Sequence, residues 1–595
     1  MQLGLALLLQ LAATAATAPA AAPEAAGSGT DVYVDADGGS DTAGDGTEAS
    51  PFRTIGKGQR LARQHLAGPP LAGNVTVHLA AGDYYLPNGL VFTAADSGRD
   101  GFSVVYSGAG GAATRLRGGV PLSGWARAST PNATAGSIWS TNVTAALHAA
   151  NVSKSRFFGL ISGGAPATLA RIPKAGSGYL DELGCSSKGL TVTCPAGVLP
   201  PALPDQVADA GLYANLGSDW FTDLRQVLSA KPNRKDGSMS VNFEPGAAGV
   251  GPRVYLQGAK SLISEPGEWA LDSGAGALYY YPHPDELAAM ENGSLSVFAT
   301  TATVVLDIRG AGFDSASLAH DIVFTGIGVQ GSDFGPSFNS DASYDSDTSP
   351  CKRSITQTEA YKELHNQGMV RVENASRVAV VDSWLLDAGY SGFWLEGWAQ
   401  NVTIARNVVT RAGVMGVYLN GPLPGDTHWG KWSSPAEAYV NKGHLVEDNV
   451  FYDYGQRVGH GSAVWFFQAG DSKVLHNHIQ EGPRDSIGVY SCRFGGGTEA
   501  GMHSAYNKTL DFWSALDVLT TRNIEVSTTV LPSIVASEAS DKSVPSSTHH
   551  RWLTTGSGWW SETRLTPARS STGAQVSLMV AIGRRCFSRL NGRAL

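Results

Sequence analysis

The chain has 595 residues and a formal charge of −9, with 42% hydrophobic and only 16% charged side chains. Ordinary soluble domains have roughly 25% charged residues, so this composition excludes a disordered acidic chain. The slightly acidic balance also argues against a nucleic-acid-binding protein, which needs a basic surface. Glycine accounts for 72 residues without a Gly-X-Y period, which favours a turn-dense β protein over a collagen-like one.

Residues 1–22 have the pattern of a secretory signal peptide. An apolar stretch over 3–11 precedes Ala16-Thr17-Ala18, a small-x-small cleavage site. The apolar part is shorter than the roughly 20 residues of a membrane-spanning helix. We therefore expect a secreted or cell-wall protein without a stable membrane anchor. Eight N-glycosylation sequons fit that location, at Asn74, Asn132, Asn142, Asn151, Asn292, Asn374, Asn401 and Asn507.

The region 30–120 contains short alternating strands after an Asp/Gly-rich turn segment. Within it, Ser50-Pro51 has the pattern of a helix N-cap followed by proline in the first turn. We interpret the Asp/Gly cluster as ordinary turns rather than a calcium site, because its spacing is not that of an EF-hand. The chain has no Cys-x-x-Cys pair and no His-Glu-x-x-His motif, so we expect no bound metal and no cofactor.

The pattern changes over 121–300 to Gly/Pro/Ala-rich loops with strand-like pieces such as RVYLQG and GALYYYPHP. This change indicates an inserted β-rich region. Cys185 and Cys194 flank a short loop inside it. The spacing allows a local disulfide and is equally compatible with two free thiols.

The strongest pattern is a repeat of 20–30 residues within 301–520. Each unit, such as VVDSWLLDAGYSGFWLEG or TIARNVVTRAGVMGVYLNG, has a strand, a polar turn, a short strand, a glycine turn and another strand. One equivalent turn position is occupied by Ser383, Asn407, Asn449 and Asn477. Asparagine tolerates the left-handed turn conformation and bonds to the backbone, so we expect a hydrogen-bonded ladder. Such repeats without a helical period predict an all-β parallel β-helix.

A second repeated position has charged side chains, Asp387, Arg411, Asp453 and Glu481. Adjacent coils lie about 4.8 Å apart, so Asp453 and Glu481 match the roughly 5–5.5 Å of a retaining glycosidase pair. Asp387 and Asp453, two coils apart, match the roughly 6.5–9.5 Å of an inverting pair. Arg411 between them would keep one carboxylate ionised and contact substrate. The alternative is a solvated turn column with a surface ion pair.

A third repeated position is aromatic, with Trp394, Tyr418 and Trp465. Their apolar neighbours on both sides take the opposite face, so the aromatic rings point outward if those neighbours form the core. An outward stack is a flat platform for sugar rings, unless the inserted region covers it. Glu396 and Asn420 end the same strands and could bind sugar hydroxyl groups.

Two further polar residues lie in loops. His460 is a possible acid or base, although a lone histidine is more often structural. Arg484 is next to Asp485 at a corner of its coil, where it forms either an internal ion pair or a clamp on substrate.

The run from 30 to about 520 resembles right-handed parallel β-helix proteins of the pectin-lyase-like superfamily. DVYVDADGGSDTAGDGTEASPFRTI resembles the opening coil of many secreted members. ATLARIP, GEWALDSGAGALYYYP and the stretch from Asn441 to Val489 resemble bacterial β-helix proteins near glycoside hydrolase family 141, in which an inserted β domain precedes the main solenoid. Related sequences usually continue with further coils after a segment like VLTTRNIE. We therefore expect residues 521–595 to be an irregular tail, either disordered or misread from the gene.

The resemblance and the residues together favour a glycoside hydrolase that acts on polysaccharide, with Asp453 and either Glu481 or Asp387 as its acids. A polysaccharide lyase on the same fold is the first alternative, with Arg411, His460 or Arg484 as its base. A non-catalytic carbohydrate-binding or cell-wall protein is the second.

Overall fold

The computed structural model describes residues 29–128, 137–216, 221–244, 253–335 except 313, 338–339, 368–421, 440–457, 461–490 except 468, 484 and 485, 524–527, 553–555 and 558–560. The signal peptide, His460, Arg484, Asn132 and Asn507 lie outside these residues. Among the described residues, no helix is both long and apolar enough to cross a bilayer.

The N-terminal part contains helix α1 (Ile55–Leu66), a 3₁₀ turn (Ala94–Asp96) and six strands, namely β1 (Thr30–Val34), β2 (Val75–Leu79), β3 (Gly82–Tyr85), β4 (Leu90–Phe92), β5 (Val104–Gly108) and β6 (Thr114–Arg117).

Helix α1 begins later than the Ser50-Pro51 pattern predicts. Its N-cap is Thr54, whose hydroxyl accepts a hydrogen bond from the Lys57 amide. The same hydroxyl donates to Asp41 Oδ2 at 2.6 Å, and Asp41 Oδ1 accepts from the amides of Arg53 and Thr54. Part of the Asp/Gly segment therefore forms side-chain-to-backbone turns that fix the start of the helix.

The next part, between the N-terminal and main coils, contains helices α2 (Thr144–Ala149) and α3 (Leu287–Glu291), 3₁₀ turns at Leu180–Leu183, Leu203–Gln206 and Lys260–Leu262, and sixteen strands, which are β7 (Gly119–Leu122), β8 (Ala126–Arg127), β9 (Trp139–Asn142), β10 (Leu160–Ser162), β11 (Ala165–Pro166), β12 (Thr168–Leu169), β13 (Arg171–Ile172), β14 (Ser186–Lys188), β15 (Thr191–Cys194), β16 (Gly211–Leu216), β17 (Phe221–Pro232), β18 (Met239–Phe243), β19 (Arg253–Gln257), β20 (Glu268–Asp272), β21 (Ala277–Tyr280) and β22 (Val297–Thr300).

These strands form three mostly antiparallel sheets of their own, ordered β11-β10-β22-β7, β12-β20-β21-β9-β8 and β13-β19-β16-β17-β18-β15-β14. Two hydrophobic clusters separate from the solenoid core fill this region. Cys185 and Cys194 form a disulfide there, which settles the alternative that the spacing left open. The region thus forms a β-rich insertion with cores of its own.

The main coils contain β23 (Leu306–Arg309), β24 (Ala319–Thr325), β25 (Gly328–Gln330), β27 (Gly368–Val381), β28 (Trp384–Leu386), β29 (Ser391–Gln400), β30 (Thr403–Ala405), β31 (Val408–Thr410), β32 (Val417–Asn420), β33 (Asn441–Lys442), β34 (Leu445–Glu447), β35 (Val450–Tyr452), β36 (Val464–Phe467), β37 (Ala469–Gly470), β38 (Lys473–Leu475), β39 (His478–Gln480), β40 (Ile487–Tyr490) and β41 (Glu525–Ser527), and a separate hairpin contains β42 (Leu553–Thr555) and β43 (Gly558–Trp560). The short strand β26 (Phe338–Asn339) pairs antiparallel with β17 of the inserted region.

Parallel pairing between successive coils builds three long faces. Sheet 1 contains β4, β23, the first half of β27, the first half of β29, β32, β36 and β40. Sheet 2 runs from β1, β2 and β5 through β24, the second half of β27, β30, β34 and β38 to β41. Sheet 3 contains β3, β6, β25, β28, β31, β35 and β39. The prediction of an all-β, parallel β-helix-like fold is confirmed.

The asparagine ladder between sheets 2 and 3 is present as predicted. Asn407 Oδ1 accepts from the Ser383 amide at 3.0 Å. Asn449 and Asn477 repeat this bond to the coil before each of them, at 2.9 and 3.0 Å. The residue preceding each ladder position has a positive φ, for example 56° at Arg406. These side chains are buried, so the ladder supplies the backbone bonds that a left-handed turn leaves open.

The coils extend further than the predicted boundary at 520. β41 pairs in parallel with β38, and Ile524 and Val526 pack against the solenoid core. The sequence NIEVS is therefore a coil strand rather than the start of an irregular tail. Its isolation from any neighbouring repeat explains why periodicity missed it.

The described sequons differ in exposure. Asn74 is half-buried, and the exposed ones are Asn142, Asn151, Asn292 and Asn401. Asn374 is only 7% exposed, and its amide donates to the Gly310 carbonyl at 3.4 Å. The prediction of a glycan at Asn374 conflicts with this burial, since a glycan needs a solvent-facing amide.

Candidate active site

The predicted turn column has the expected register, because Leu386, Thr410, Tyr452 and Gln480 align on successive coils just before its four members. All four members have positive φ, between 54° and 60°. The loop that follows Gly455 does not shift the register. The four residues therefore form the predicted column, and the contacts of each side chain decide whether it can take part in glycoside hydrolysis.

Asp387 is held in an internal ion pair. Arg411 Nε and Nη2 bond its two oxygens at 2.5 and 2.9 Å, and Gln330 Nε2 donates to Oδ2 at 2.6 Å. The Asp387 side chain is only 4% exposed. This geometry uses both carboxylate oxygens within the protein, so the expectation that Asp387 and Arg411 face substrate disagrees with the structure.

Asp453 and Glu481 are placed differently from Asp387. Asp453 is half-buried and accepts from Gln456 Nε2 at 2.6 Å, whereas Glu481 is exposed. Burial raises the pKa of Asp453, Arg411 opposes the shift, and the Glu481 and Asp387 carboxylates add to it. These two residues stay a predicted acid pair on an open turn surface.

A second group of carboxylates lies on the outer face of sheet 1. Asp307, Arg371, Glu373 and Glu396 form what we call the sheet 1 acid cluster. Asp307 aligns with Arg371 on the next coil, and Glu373 aligns with Glu396. Of these four residues, the sequence predicts a role only for Glu396, as a ligand of sugar hydroxyl groups.

Arg371 links the two glutamates of this cluster. Its Nη2 atom contacts Glu373 Oε2 and lies 3.3 Å from Glu396 Oε2. Because both oxygens contact one nitrogen, they lie within about 6 Å of each other, a limit that includes the roughly 5–5.5 Å of retaining glycosidase pairs. Adjacent coils are about 4.8 Å apart, which makes this closeness a consequence of the fold.

The sheet 1 acid cluster is largely desolvated. Asp307 is 8% exposed and Glu373 is 4% exposed, while the Arg371 and Glu396 side chains keep 18% and 15% of their surface. The cluster therefore opens to solvent on the side of Arg371 and Glu396. Burial raises the pKa of Asp307, although Arg371 and Arg309 oppose the shift.

Three buried polar atoms here lack a hydrogen-bond partner among the described residues, namely Asp307 Oδ1, Arg371 Nε and Trp394 Nε1. Unsatisfied buried polar groups cost free energy, about 1–3 kcal/mol each. Such unsatisfied groups beside several carboxylates are a feature of many functional sites.

The aromatic column adjoins this cluster in the register that the sequence predicts. Trp394, Tyr418 and Trp465 align on successive coils, and Arg371 aligns with Trp394. The flanking apolar residues form the solenoid core. The three rings are only 3%, 1% and 1% exposed, so they are covered and do not form an open platform.

The rings nevertheless shape the wall of the cluster. The Trp394 and Tyr418 ring centroids lie 4.2 Å apart in an edge-to-face pair. Burial, with a contribution from the Glu396 charge, raises the pKa of the Tyr418 phenol. Asn420, which aligns with Glu396, is 8% exposed. An apolar wall beside desolvated carboxylates strengthens electrostatic interactions in the cluster.

A signal for the missed residues was present in the sequence. The strands of sheet 1 align as LDIR, VRVE, FWLE, VYLN and VWFF. The second and fourth letters face outward, and they are charged in the first two strands. The regular repeat units begin near residue 380 within the predicted region 301–520, so Asp307, Arg371 and Glu373 precede them.

Comparison with known proteins gives a structural likeness. No protein-family model matches the chain, and no curated protein sequence matches it. A solved structure titled "Glycoside hydrolase" aligns with a TM-score of 0.58 at 18% identity, over 77% of this chain and 79% of that chain. At this identity the likeness shows a shared fold.

Two further solved structures align less closely. The complex of XylC with xylose gives a TM-score of 0.27 at 13% identity, over 78% of this chain and 67% of that one. The catalytic unit of a GH87 α-1,3-glucanase from Streptomyces thermodiastaticus strain HF3-3 gives 0.17 at 11% identity, over 62% and 74%.

Proposed function

We propose that this protein is a glycoside hydrolase that cleaves polysaccharide at the sheet 1 acid cluster. The observation that supports this proposal most is the pair of glutamates, Glu373 and Glu396, on adjacent coils with one guanidinium atom against both. Retaining glycoside hydrolysis uses two carboxyl groups roughly 5–5.5 Å apart, a separation that the contacts of both glutamates with Arg371 Nη2 allow. We also propose that the substrate is a polymer. The N-terminal pattern leads us to propose that the protein is secreted.

The contacts suggest a division of roles. Glu373 is the more buried glutamate and contacts Arg371 most closely, so we assign it as the nucleophile at the anomeric carbon. Glu396 is farther from the guanidinium and more exposed. It would give its proton to the leaving glycosidic oxygen, and then take a proton from the water that displaces Glu373.

Asp307 acts through its neighbours in this scheme. When protonated, it adds no negative charge beside Glu373 and does not compete for Arg371. When ionised, it places a further carboxylate in the cluster, which draws the guanidinium away from the two glutamates. Asp307 is thus a positioning residue whose charge controls the catalytic pair.

The reaction class is tested by product chemistry on a panel of neutral and uronate-containing polysaccharides. Hydrolysis releases reducing ends without absorbance at 235 nm, whereas a lyase gives an unsaturated product that absorbs there. Binding without any product would support the carbohydrate-binding alternative. Glu396→Ala with added azide should yield a glycosyl azide, because the small anion replaces water at the intermediate without needing a general base. No reducing ends on any polymer would refute the proposal.

A further inference from the structure

A groove of about 340 Å³ lies on the outer face of sheet 2, over the first three coils. Ligand sites for small molecules typically begin at about 300 Å³. The lining includes Tyr33 and His78, the small residues Ser107 and Gly108, and the carboxylate of Glu48. The groove belongs to strands β1, β2 and β5, whereas the acid cluster lies on sheet 1.

Two stacked rings stand beside this groove. Tyr33 and His78 occupy the same position on adjacent coils, and their centroids are 4.7 Å apart with planes inclined by 19°. Asp31 Oδ1 lies 2.7 Å from His78 Nε2. This contact fixes the imidazole plane, so the stack is organised before any ligand arrives.

The stack ends where a third ring would fit. The next coil places Ser107 in register with His78, and the following residue is Gly108. Coils repeat at about 4.8 Å, close to the thickness of one stacked ring. The space over the small Ser107 side chain is therefore a ring-sized position in the groove. The His78 imidazole bounds it on one side, and the His78 side chain is 39% exposed.

Hydrogen-bond acceptors line the Tyr33 end of the same groove. The carboxylate of Asp35, which also lines the groove, is held by the amides of Asp37 and Gly38 at 2.9 Å each. Glu48 lines the groove as well, and burial together with the charges of Asp31 and Glu48 raises the pKa of the Tyr33 phenol. Oriented carboxylates next to a flat ring face suit a ligand that has both hydroxyl groups and an apolar C–H face.

We propose that this groove is a second carbohydrate-binding site, in which a pyranose unit of a neutral glycan stacks on His78 in the position above Ser107. The Asp35 and Glu48 carboxylates, at the Tyr33 end of the groove, accept hydrogen bonds from hydroxyl groups of the same glycan. The site holds the polymer at the N-terminal coils and takes no part in bond cleavage. Its function is independent of the reaction assigned to sheet 1.

The test measures binding of xylohexaose, cellohexaose and laminarihexaose by titration calorimetry. The parent protein has Glu373→Gln, so that the ligand survives if the proposed hydrolysis is correct. Ser107→Tyr fills the ring position with a side chain, and His78→Ala removes the stacking face. Thr76→Ala is the matched control, since Thr76 lies on the same strand but does not line the groove.

We expect at least one hexasaccharide to bind the parent with Kd below about 1 mM. Ser107→Tyr and His78→Ala should each weaken that binding about tenfold, while Thr76→Ala leaves it unchanged. In the chain with Glu373 intact, both groove variants should hydrolyse short soluble substrates at the unaltered rate.

Unchanged affinity in both groove variants would overturn this inference, and so would the absence of binding by all three hexasaccharides. Loss of glycan binding that accompanies Thr76→Ala equally would also overturn it, because the effect would then be general. A protein that binds through the groove but releases no reducing ends would refute the hydrolase proposal alone. The two proposals therefore fail separately.

Discussion

Replacing Asn407 by alanine should destabilise the central coils by an amount that the ladder geometry sets. The Asn407 side chain makes three hydrogen bonds, to the Ser383 amide at 3.0 Å, the Val380 carbonyl at 2.8 Å and Asn449 Oδ1 at 3.1 Å. Asn407 is 1% exposed, so water cannot replace these partners. The two bonds from Nδ2, at about 1 kcal/mol each, and the orphaned buried amide of Ser383, at about 1–3 kcal/mol, together give a loss of about 3–5 kcal/mol.

The control for this variant is the adjacent turn residue. Arg406→Ala removes a 2.7 Å ion pair with Asp382 in which the two side chains are 35% and 47% exposed. Such a surface pair contributes less than about 1 kcal/mol. Arg406 and Asn407 are consecutive residues of the same turn, although only Arg406 of the two has a positive φ.

The assay is guanidinium unfolding followed by tryptophan fluorescence, combined with hydrogen exchange of peptides that span 380–388. Asn407→Ala should lower the unfolding midpoint and accelerate exchange at the Ser383 amide, because that amide loses its acceptor. The reasoning would be refuted by a stability within about 0.5 kcal/mol of the parent chain, or by an equal loss in Arg406→Ala.

Three further outcomes are expected. Burial raises the pKa of Asp307, so its stabilising contribution is complete below the unfolded-state pKa and is lost as pH rises through the folded-state value. Asp307→Asn should therefore be more stable than the parent at neutral pH and stay active to higher pH, which paired thermal melts and a pH–rate profile check. Gly488→Ala places a Cβ 2.4 Å from Trp465 Cε3, and the overpacking should cost about 1–3 kcal/mol in unfolding free energy. Reducing the Cys185–Cys194 disulfide should destabilise the inserted region by about 2–3 kcal/mol without changing the hydrolysis rate, as unfolding and kinetics with and without dithiothreitol would show.

The sequence was sufficient for features that repeat. Asn407 and Asn449 recur at the same turn, so their ladder and the register of Trp394 and Tyr418 followed from aligning the coils. The burial of those rings did not follow, because alternation within a strand separates core from outer face but says nothing of what covers the outer face. Their predicted role as an open sugar platform has no support in the structure.

The acid cluster could not be assigned from periodicity alone. Asp307 and Arg371 lie in strands separated by residues 310–367, before the regular repeat units begin, and only pairing brings the two side chains together. The turn column was easier to find because its members recur at regular spacing. A residue type that recurs at one turn position often serves the structure of the coils. Asp387 is an example, because its carboxylate accepts hydrogen bonds from Arg411 and Gln330.

The most direct test compares the two carboxylate groups in one assay. The measurement is kcat/KM for Glu373→Gln, Glu396→Gln and Asp453→Asn on the best polysaccharide substrate, with folding checked by circular dichroism. If sheet 1 is the active site, Glu373→Gln and Glu396→Gln should each lose about 10²–10⁴-fold, and Asp453→Asn should stay within a few-fold of the parent. Loss of activity in Asp453→Asn, with both glutamine variants active, would contradict this account and return the reaction to the turn column.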